Sequence, residues 1–319
     1  MGWLEAAILG IVQGLTEFLP VSSTAHVSLV SQVFFGSDAG AAFTAVIQLG
    51  TSTALLIYFI KDIWRILKAW VLGLFRRLPQ SDPDVRLGWF IIVGSIPVGI
   101  LGVLFKDAIT SSLRNLWVTV AMLVIVGVIL WVADVYAAKV AARGSVAAAT
   151  DVPAVQTAPA RARRAMVEDD PAPAPAPVPV AATGATKALA HMTWRDAVIV
   201  GVCQAAALIP GVSRSGSTTA AGLFLGYDRP SAARYSFWLS IPAVWASGLF
   251  ELKDIGSQTV DWGPTALATI IAFVVGFAVI AWLLRFISTH TFRPFAVYRV
   301  VLALAVAGLL VSGVLSAGA

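Results

Sequence analysis

The sequence predicts an all-α polytopic membrane protein built as an inverted-topology repeat. Each half would hold one re-entrant helix hairpin and three transmembrane helices, six spans and two hairpins in all. Three observations carry this prediction. Hydrophobic residues make up 58% of the 319 and charged residues only 12%, more apolar surface than a soluble domain of this size can bury. Several stretches approach the ~20 apolar residues that a bilayer crossing needs. The chain also matches itself: Glu5-Ala-Ala-Ile-Leu-Gly10-Ile-Val-Gln13 parallels Asp196-Ala-Val-Ile-Val-Gly201-Val-Cys-Gln204, and Pro20-Val-Ser-Ser23 parallels Pro210-Gly-Val-Ser213 after a one-residue gap.

Residues 3–19 and 22–35 are both apolar and too short or too polar to cross comfortably, so they read as a hairpin that enters the bilayer and returns. Irregular backbone at that depth is tolerated only inside protein or along a wet cavity. Residues 41–60 read as a span. The loop from Lys61 to Arg86 carries Lys61, Arg65, Lys68, Arg76, Arg77 and Arg86, which predicts the cytoplasmic side. Spans follow at 87–105 and 116–136, joined by an outer loop from Lys106 to Asn115. Residues 1–136 therefore form the first membrane repeat.

Residues 137–192 are rich in alanine and proline and include Pro-Ala-Pro-Ala-Pro-Ala-Pro at 171–177. Such a composition cannot bury a core and predicts a disordered cytoplasmic linker without chemistry. The second membrane repeat, 193–319, opens with another split pair at 196–209 and 214–226. Spans at 232–250, 264–284 and 295–315 complete it. The loop 251–263 is acidic and expected outside, while the loop bearing Arg285, His290 and Arg293 is basic and expected inside. Trp64, Trp89, Trp117, Trp194, Trp238 and Trp262 fall near predicted span ends, as an aromatic belt would. An odd number of spans per half makes the two halves antiparallel. Such repeats place their site near the midplane, where the two polar turns meet.

The net charge of +5 is spread over loops that flank spans, so it carries orientation and excludes a nucleic-acid partner. The single cysteine, Cys203, excludes an internal disulfide and a thiolate metal cluster. Met-Gly-Trp-Leu-Glu lacks a basic n-region, so no cleaved signal peptide is expected.

The chemistry is expected in the two turns. Ionisable groups inside a span cost roughly 2.5–3.5 kcal/mol each, which makes them functional-site candidates. In the second turn Arg214 offers a planar donor fork for phosphate oxygens, at the start of a helix whose N–H groups favour anions. Ser213, Ser215, Ser217 and Thr218 add hydroxyls; alternatively these serines only cap the helix. In the first turn Gln13 and Glu17 share a helix face. Glu17 near a helix C-terminus suits a divalent cation, Mg2+ or Ca2+, with Gln13 as a further ligand; alternatively Glu17 pairs with Arg214. Ser22, Ser23 and His26 begin the next helix, and a hydroxyl beside an imidazole fits a nucleophile with its base. Glu5 and Asp196 are expected to cap or anchor the hairpins. The residues alone thus leave two classes open: hydrolysis of a lipid phosphate, and an inverted-repeat transporter or flippase for a lipid phosphate or other anion.

At these turns the chain closely resembles the undecaprenyl-diphosphate phosphatase family, also called bacitracin-resistance proteins. The family's Glu/Gln-x-x-x-Glu followed by Pro-x-Ser-Ser-x-x-His is matched by Gln13, Glu17, Pro20, Ser22, Ser23 and His26. Its Pro-Gly-x-Ser-Arg-Ser-x-x-Thr is matched by Pro210, Gly211, Ser213, Arg214, Ser215 and Thr218. The resemblance covers both membrane halves and leaves 137–192 aside. It implies hydrolysis of a polyprenyl diphosphate to the monophosphate carrier lipid and inorganic phosphate, recycled in peptidoglycan synthesis. It further implies a bacterial inner-membrane protein whose site opens to the extracytoplasmic side; a homodimer is compatible with it. In that picture Arg214 and the Ser213–Thr218 turn, with Ser22, hold the diphosphate. Glu17 acts with the cation, and Ser23 and His26 perform the attack, with Ser23 activated by His26 as the favoured arrangement and His26 as nucleophile the alternative. Glutamine at position 13 leaves one anionic metal ligand fewer.

Overall fold

The computed structural model describes residues 1–36, 38–110, 113, 115–150, 186–252 and 261–317. Among these residues every regular element is a helix. The first hairpin is α1 (Trp3–Thr16) and α2 (Ser23–Phe35), separated by a tight turn at Pro20. After it come α3 (Ala41–Tyr58), α4 (Ile60–Leu74), α5 (Pro83–Leu104), the short α6 (Lys106–Thr110) and the long α7 (Leu116–Thr150). The second hairpin is α8 (Trp194–Ala205) and α9 (Arg214–Phe224), with a 3-10 turn at Ala206–Leu208 between them. Last are α10 (Arg229–Leu252), α11 (Trp262–Thr289) and α12 (Arg293–Val311). Among the described residues the spans within α5, α7, α11 and α12 are long and apolar enough to cross a membrane, and the bent pair α3–α4 passes the same test only when taken together as one span. The chain is a multi-pass membrane protein.

Both hairpins are anchored by carboxylates at their first turns. The Glu5 carboxylate accepts from the Gly2 N–H at 3.2 Å. Asp196 and Thr193 form a reciprocal capping pair, and Asp196 also accepts from the Tyr227 hydroxyl at 2.7 Å. Burial and the Asp196 carboxylate both push the Tyr227 phenol pKa upward.

The halves pack by exchange. Helix α1 lies on α11 of the other half, and α8 lies on α5; α3 meets α11, and α10 meets α5. Helix α3 also meets α10, and α7 meets α12. Two glycines that correspond in the internal repeat make the exchange close. A Cβ at Gly10 would stand 2.5 Å from the Ala268 carbonyl oxygen, and one at Gly201 would stand 2.4 Å from that of Gly94. Small residues let membrane helices approach to backbone contact. Gly201→Val should therefore cost about 1–3 kcal/mol of stability. Thermal unfolding in detergent checks it, with Gly2→Val as the neutral comparison, because nothing lies within 4 Å of that Cβ.

Several sequence expectations need correction. Residues 60–74 are not a loop but an amphipathic helix, bent 76° from α3. Its buried Ile66, Ala69 and Gly73 keep helical spacing, while Arg65 pairs with Asp84 of α5 at 2.6 Å. The expected outer loop 106–115 contains a helical turn, α6. Helix α7 continues to Thr150, past the expected linker start at 137. At the far end of that linker, Met192 is buried and Lys187 bridges to Tyr227. Residues 151–185 of the linker and 253–260 of the acidic loop lie outside the described residues. Trp238 belongs to the core, packed against Phe59, rather than to an interfacial belt. Asp134, a carboxylate within an expected span, is fully buried; it accepts from Arg229 at 2.6 Å and from the Phe292 N–H at 3.1 Å. It thereby ties the starts of α10 and α12 to α7.

Candidate active site

Each hairpin breaks so that its second helix starts from a serine with positive φ. Ser22 has φ 73° and Ser213 has φ 68°. This conformation costs a non-glycine residue about 1–3 kcal/mol, and such residues cluster at functional sites. Both serines are helix N-caps, and the side chain that follows each of them, Ser23 or Arg214, reaches the end of α1 at Glu17.

The two turns meet at Glu17, the residue that ends α1 and is nearly buried. Its Oε2 accepts from the Ser23 hydroxyl at 2.6 Å and from the Gln13 amide at 2.8 Å. Its Oε1 accepts from an Arg214 Nη. One carboxylate from the first half thus holds a hydroxyl of its own hairpin and a guanidinium of the other. A second tie runs beside it, where the Ser215 hydroxyl donates to the Leu19 carbonyl at 3.0 Å.

This cluster forms one wall of a cavity of about 800 Å3. Glu17, Ser22, Ser23, Ser213 and Arg214 line its polar end. Val98, Val103 and Leu208 form its apolar flank, and Lys106 of α6 also lines it. The N-termini of α2 and α9 both begin at this polar end, an arrangement that favours anions.

Of the expected site residues, Gln13, Glu17, Ser23 and Arg214 come together as one bonded group. Ser22 and Ser213 line the same cavity, while His26, Ser215, Ser217 and Thr218 are placed differently. His26 does not hydrogen-bond Ser23: its Nδ1 lies 2.7 Å from the Ser22 carbonyl oxygen and its Nε2 lies 2.7 Å from the Tyr298 hydroxyl. Since a carbonyl only accepts, Nδ1 carries the proton and a neutral ring accepts from Tyr298. The hydrogen-bond partner of Ser23 is Glu17, a carboxylate, where the sequence reading expects His26. Ser217 and Thr218 both donate to the Arg214 carbonyl, at 3.1 and 2.7 Å. The Ser213 hydroxyl accepts the Gly216 N–H at 3.2 Å. Ser215, Ser217 and Thr218 do not line the cavity; they shape the turn that presents Arg214.

Gln13 Oε1 is buried without a partner. Among the described residues no group of three His, Cys, Asp or Glu side chains could hold a metal ion by itself. A divalent cation fits here only by sharing ligands with a substrate: one carboxylate, one carboxamide oxygen and phosphate oxygens, a pattern usual for Mg2+.

Sequence reasoning passed over Tyr298 and Arg299, which reach this region from α12. A signal was present. Arg299 stands alone inside an otherwise apolar stretch, and an ionisable residue there is itself a functional-site marker.

A family model described as bacitracin resistance protein BacA matches residues 6–305. Undecaprenyl-diphosphatase 2 of Streptomyces coelicolor is 48% identical over 317 residues, covering 99% of this chain and 97% of the relative. Undecaprenyl-diphosphatase of Mycolicibacterium smegmatis is 48% identical over 323 residues, covering 99% and 100%. Undecaprenyl-diphosphatase of Nocardioides is 44% identical over 317 residues, covering 99% of each. These matches run through residues 137–192, which the motif resemblance leaves aside. With two facing turns that carry the motif residues and a family match over nearly its whole length, the chain belongs to the bacitracin resistance protein BacA family.

Proposed function

We propose that this protein is an integral membrane phosphatase. It hydrolyses undecaprenyl diphosphate to undecaprenyl phosphate and inorganic phosphate, returning the carrier lipid to cell-wall synthesis. The observation that carries this reading is the single bonded group of Ser23, Glu17 and Arg214, drawn from both hairpins onto one cavity with polar and apolar walls.

In this reading the prenyl end lies along the apolar flank and the diphosphate enters the polar end. Arg214 turns its fork from Glu17 to the phosphate oxygens, where bidentate donation suits the geometry. Ser23 Oγ attacks the terminal phosphorus while its proton passes to Glu17 Oε2. The bond from that phosphorus to the bridging oxygen breaks, and the lipid monophosphate leaves with the bridging oxygen. Glu17 hands that proton to the departing lipid monophosphate. It then takes a proton from the water that attacks the phosphoserine and passes it to Ser23 Oγ as the Oγ–phosphorus bond breaks and inorganic phosphate departs. Gln13 fixes the carboxylate for both steps. A Mg2+ or Ca2+ ion, held by Glu17 and Gln13 Oε1 together with substrate oxygens, would neutralise phosphate charge.

The finer architecture belongs to the same proposal. The halves form an inverted repeat, supported by the exchanged packing of α1 on α11 and α8 on α5 and by the paired positive-φ serines. The site opens to the extracytoplasmic side of a bacterial inner membrane. In support, exposed Lys61, Lys68, Arg76 and Arg77 gather around α4, at the start of α5, while the cavity is lined by residues of its second half and by α6. Basic residues favour the cytoplasmic face.

The test is phosphate release from the lipid diphosphate by detergent-purified protein with Mg2+ or Ca2+. Arg214→Lys keeps the charge but loses the fork, and should lower turnover by about a hundredfold. No release by the wild-type protein would overturn the reading.

A further inference from the structure

Helix α12 brings to the site a cation that neither the motifs nor the mechanism use. Arg299 is fully buried. Its guanidinium donates to five main-chain carbonyls on three segments. Nη1 reaches the Pro20 carbonyl at 3.2 Å, and Nη2 reaches those of Gly211 at 2.7 Å and Val212 at 3.3 Å. Nη2 also meets the Met122 carbonyl at 3.1 Å, and Nε meets that of Leu123 at 3.2 Å.

We infer that Arg299 is a positioning residue, a clamp that sets the distance between the two hairpin turns and so aligns Ser23 and Glu17 with Arg214. This rests on the phosphatase reading of that site and adds a part to it.

Three features lead there. Three of the five clamped carbonyls sit just upstream of the two strained serines: Pro20 precedes Ser22 by two residues, and Gly211 and Val212 lead directly into Ser213. Each turn has left its helix, so these carbonyls lack a ladder partner and would be costly to bury unpaired. The guanidinium is planar with rigidly placed donors, so bonding both turns at once sets their separation as a flexible ammonium cannot. Finally, the clamp has little slack. A Cβ on Gly211, whose φ is +92°, would lie 2.6 Å from the Thr119 carbonyl oxygen, so the second turn is wedged against α7 while Arg299 holds it. The neighbouring Tyr298 hydroxyl lies 2.7 Å from His26 Nε2, so two successive residues of α12 brace the first hairpin from behind.

The experiment compares wild type, Arg299→Lys and Arg299→Ala in detergent, with turnover of the lipid diphosphate, thermal unfolding and response to added guanidinium ion. Misalignment of about 1 Å costs roughly a hundredfold in rate. Arg299→Lys should stay folded with KM within about threefold of wild type and kcat down by about that hundredfold. Guanidinium should restore part of the kcat of Arg299→Ala and leave wild type unchanged. If Arg299→Ala does not fold, the kcat and KM of the Lys variant decide alone. Wild-type kcat in Arg299→Lys, or a loss that guanidinium leaves untouched in a folded Arg299→Ala, would overturn the clamp. Wild-type activity in the same assay keeps that failure separate from failure of the phosphatase reading.

Discussion

Ser23→Ala should abolish turnover of the lipid diphosphate, with kcat falling by about 10⁴-fold or more, as removal of a nucleophile does elsewhere. The hydroxyl is committed in advance. It donates to Glu17 Oε2 at 2.6 Å, so the proton it must shed already points at an acceptor, and attack needs little rearrangement. The cavity and Arg214 remain in the variant, and KM should change by no more than severalfold. Rapid acid quenching with substrate labelled in its terminal phosphate reads the step directly. Wild type should carry transient label on Ser23, and the variant none. Activity within tenfold of wild type in Ser23→Ala would mean that water attacks directly and that the serine only orients Glu17.

Glu17→Gln should lower kcat by about a thousandfold, within the range that general-base removal costs. The amide is nearly isosteric, so the loss is one of chemistry more than of packing. An amide NH2 cannot take a proton from Ser23, and it turns an acceptor into a donor beside Arg214 and Gln13. Arg214, Gln13 and Ser23 would all lose the negative charge that gathers them. The measurement is kcat against pH together with unfolding temperature. A variant that unfolds more readily but turns over normally once folded would assign Glu17 a structural task and return the base role to another group.

Much of the site was legible because polar residues in apolar sequence stand out. Gln13, Glu17, Ser23 and Arg214 were recognisable by type and spacing, since a membrane core tolerates such groups only where they serve. Their pairing was not legible. Whether Ser23 faces His26 or Glu17 depends on the positive φ of Ser22, a torsion that residue type does not announce. The hydroxyls of Ser215, Ser217 and Thr218 looked like phosphate donors because composition shows capacity, not direction; the structure spends them on main-chain carbonyls. Helix α4 was misread as a loop because its charges mask an apolar face of helical spacing. Asp134, Tyr298 and Arg299 act across 87 to 279 residues of sequence separation, and no local window joins such partners.

The amino-acid order by itself determined that the chain lives in a membrane, that its two split apolar segments repeat one another in sequence, and that each breaks at a polar turn. These properties depend on hydrophobic runs and local repetition, which are additive along a chain. Only the folded structure decided which half supplies the neighbour of each group. Helix exchange between the halves, permitted at Gly10 and Gly201 by the lack of a side chain, lets the carboxylate of one turn take the guanidinium of the other. That choice is a matter of packing distances between helices far apart in sequence, so it exists only once both halves are in place.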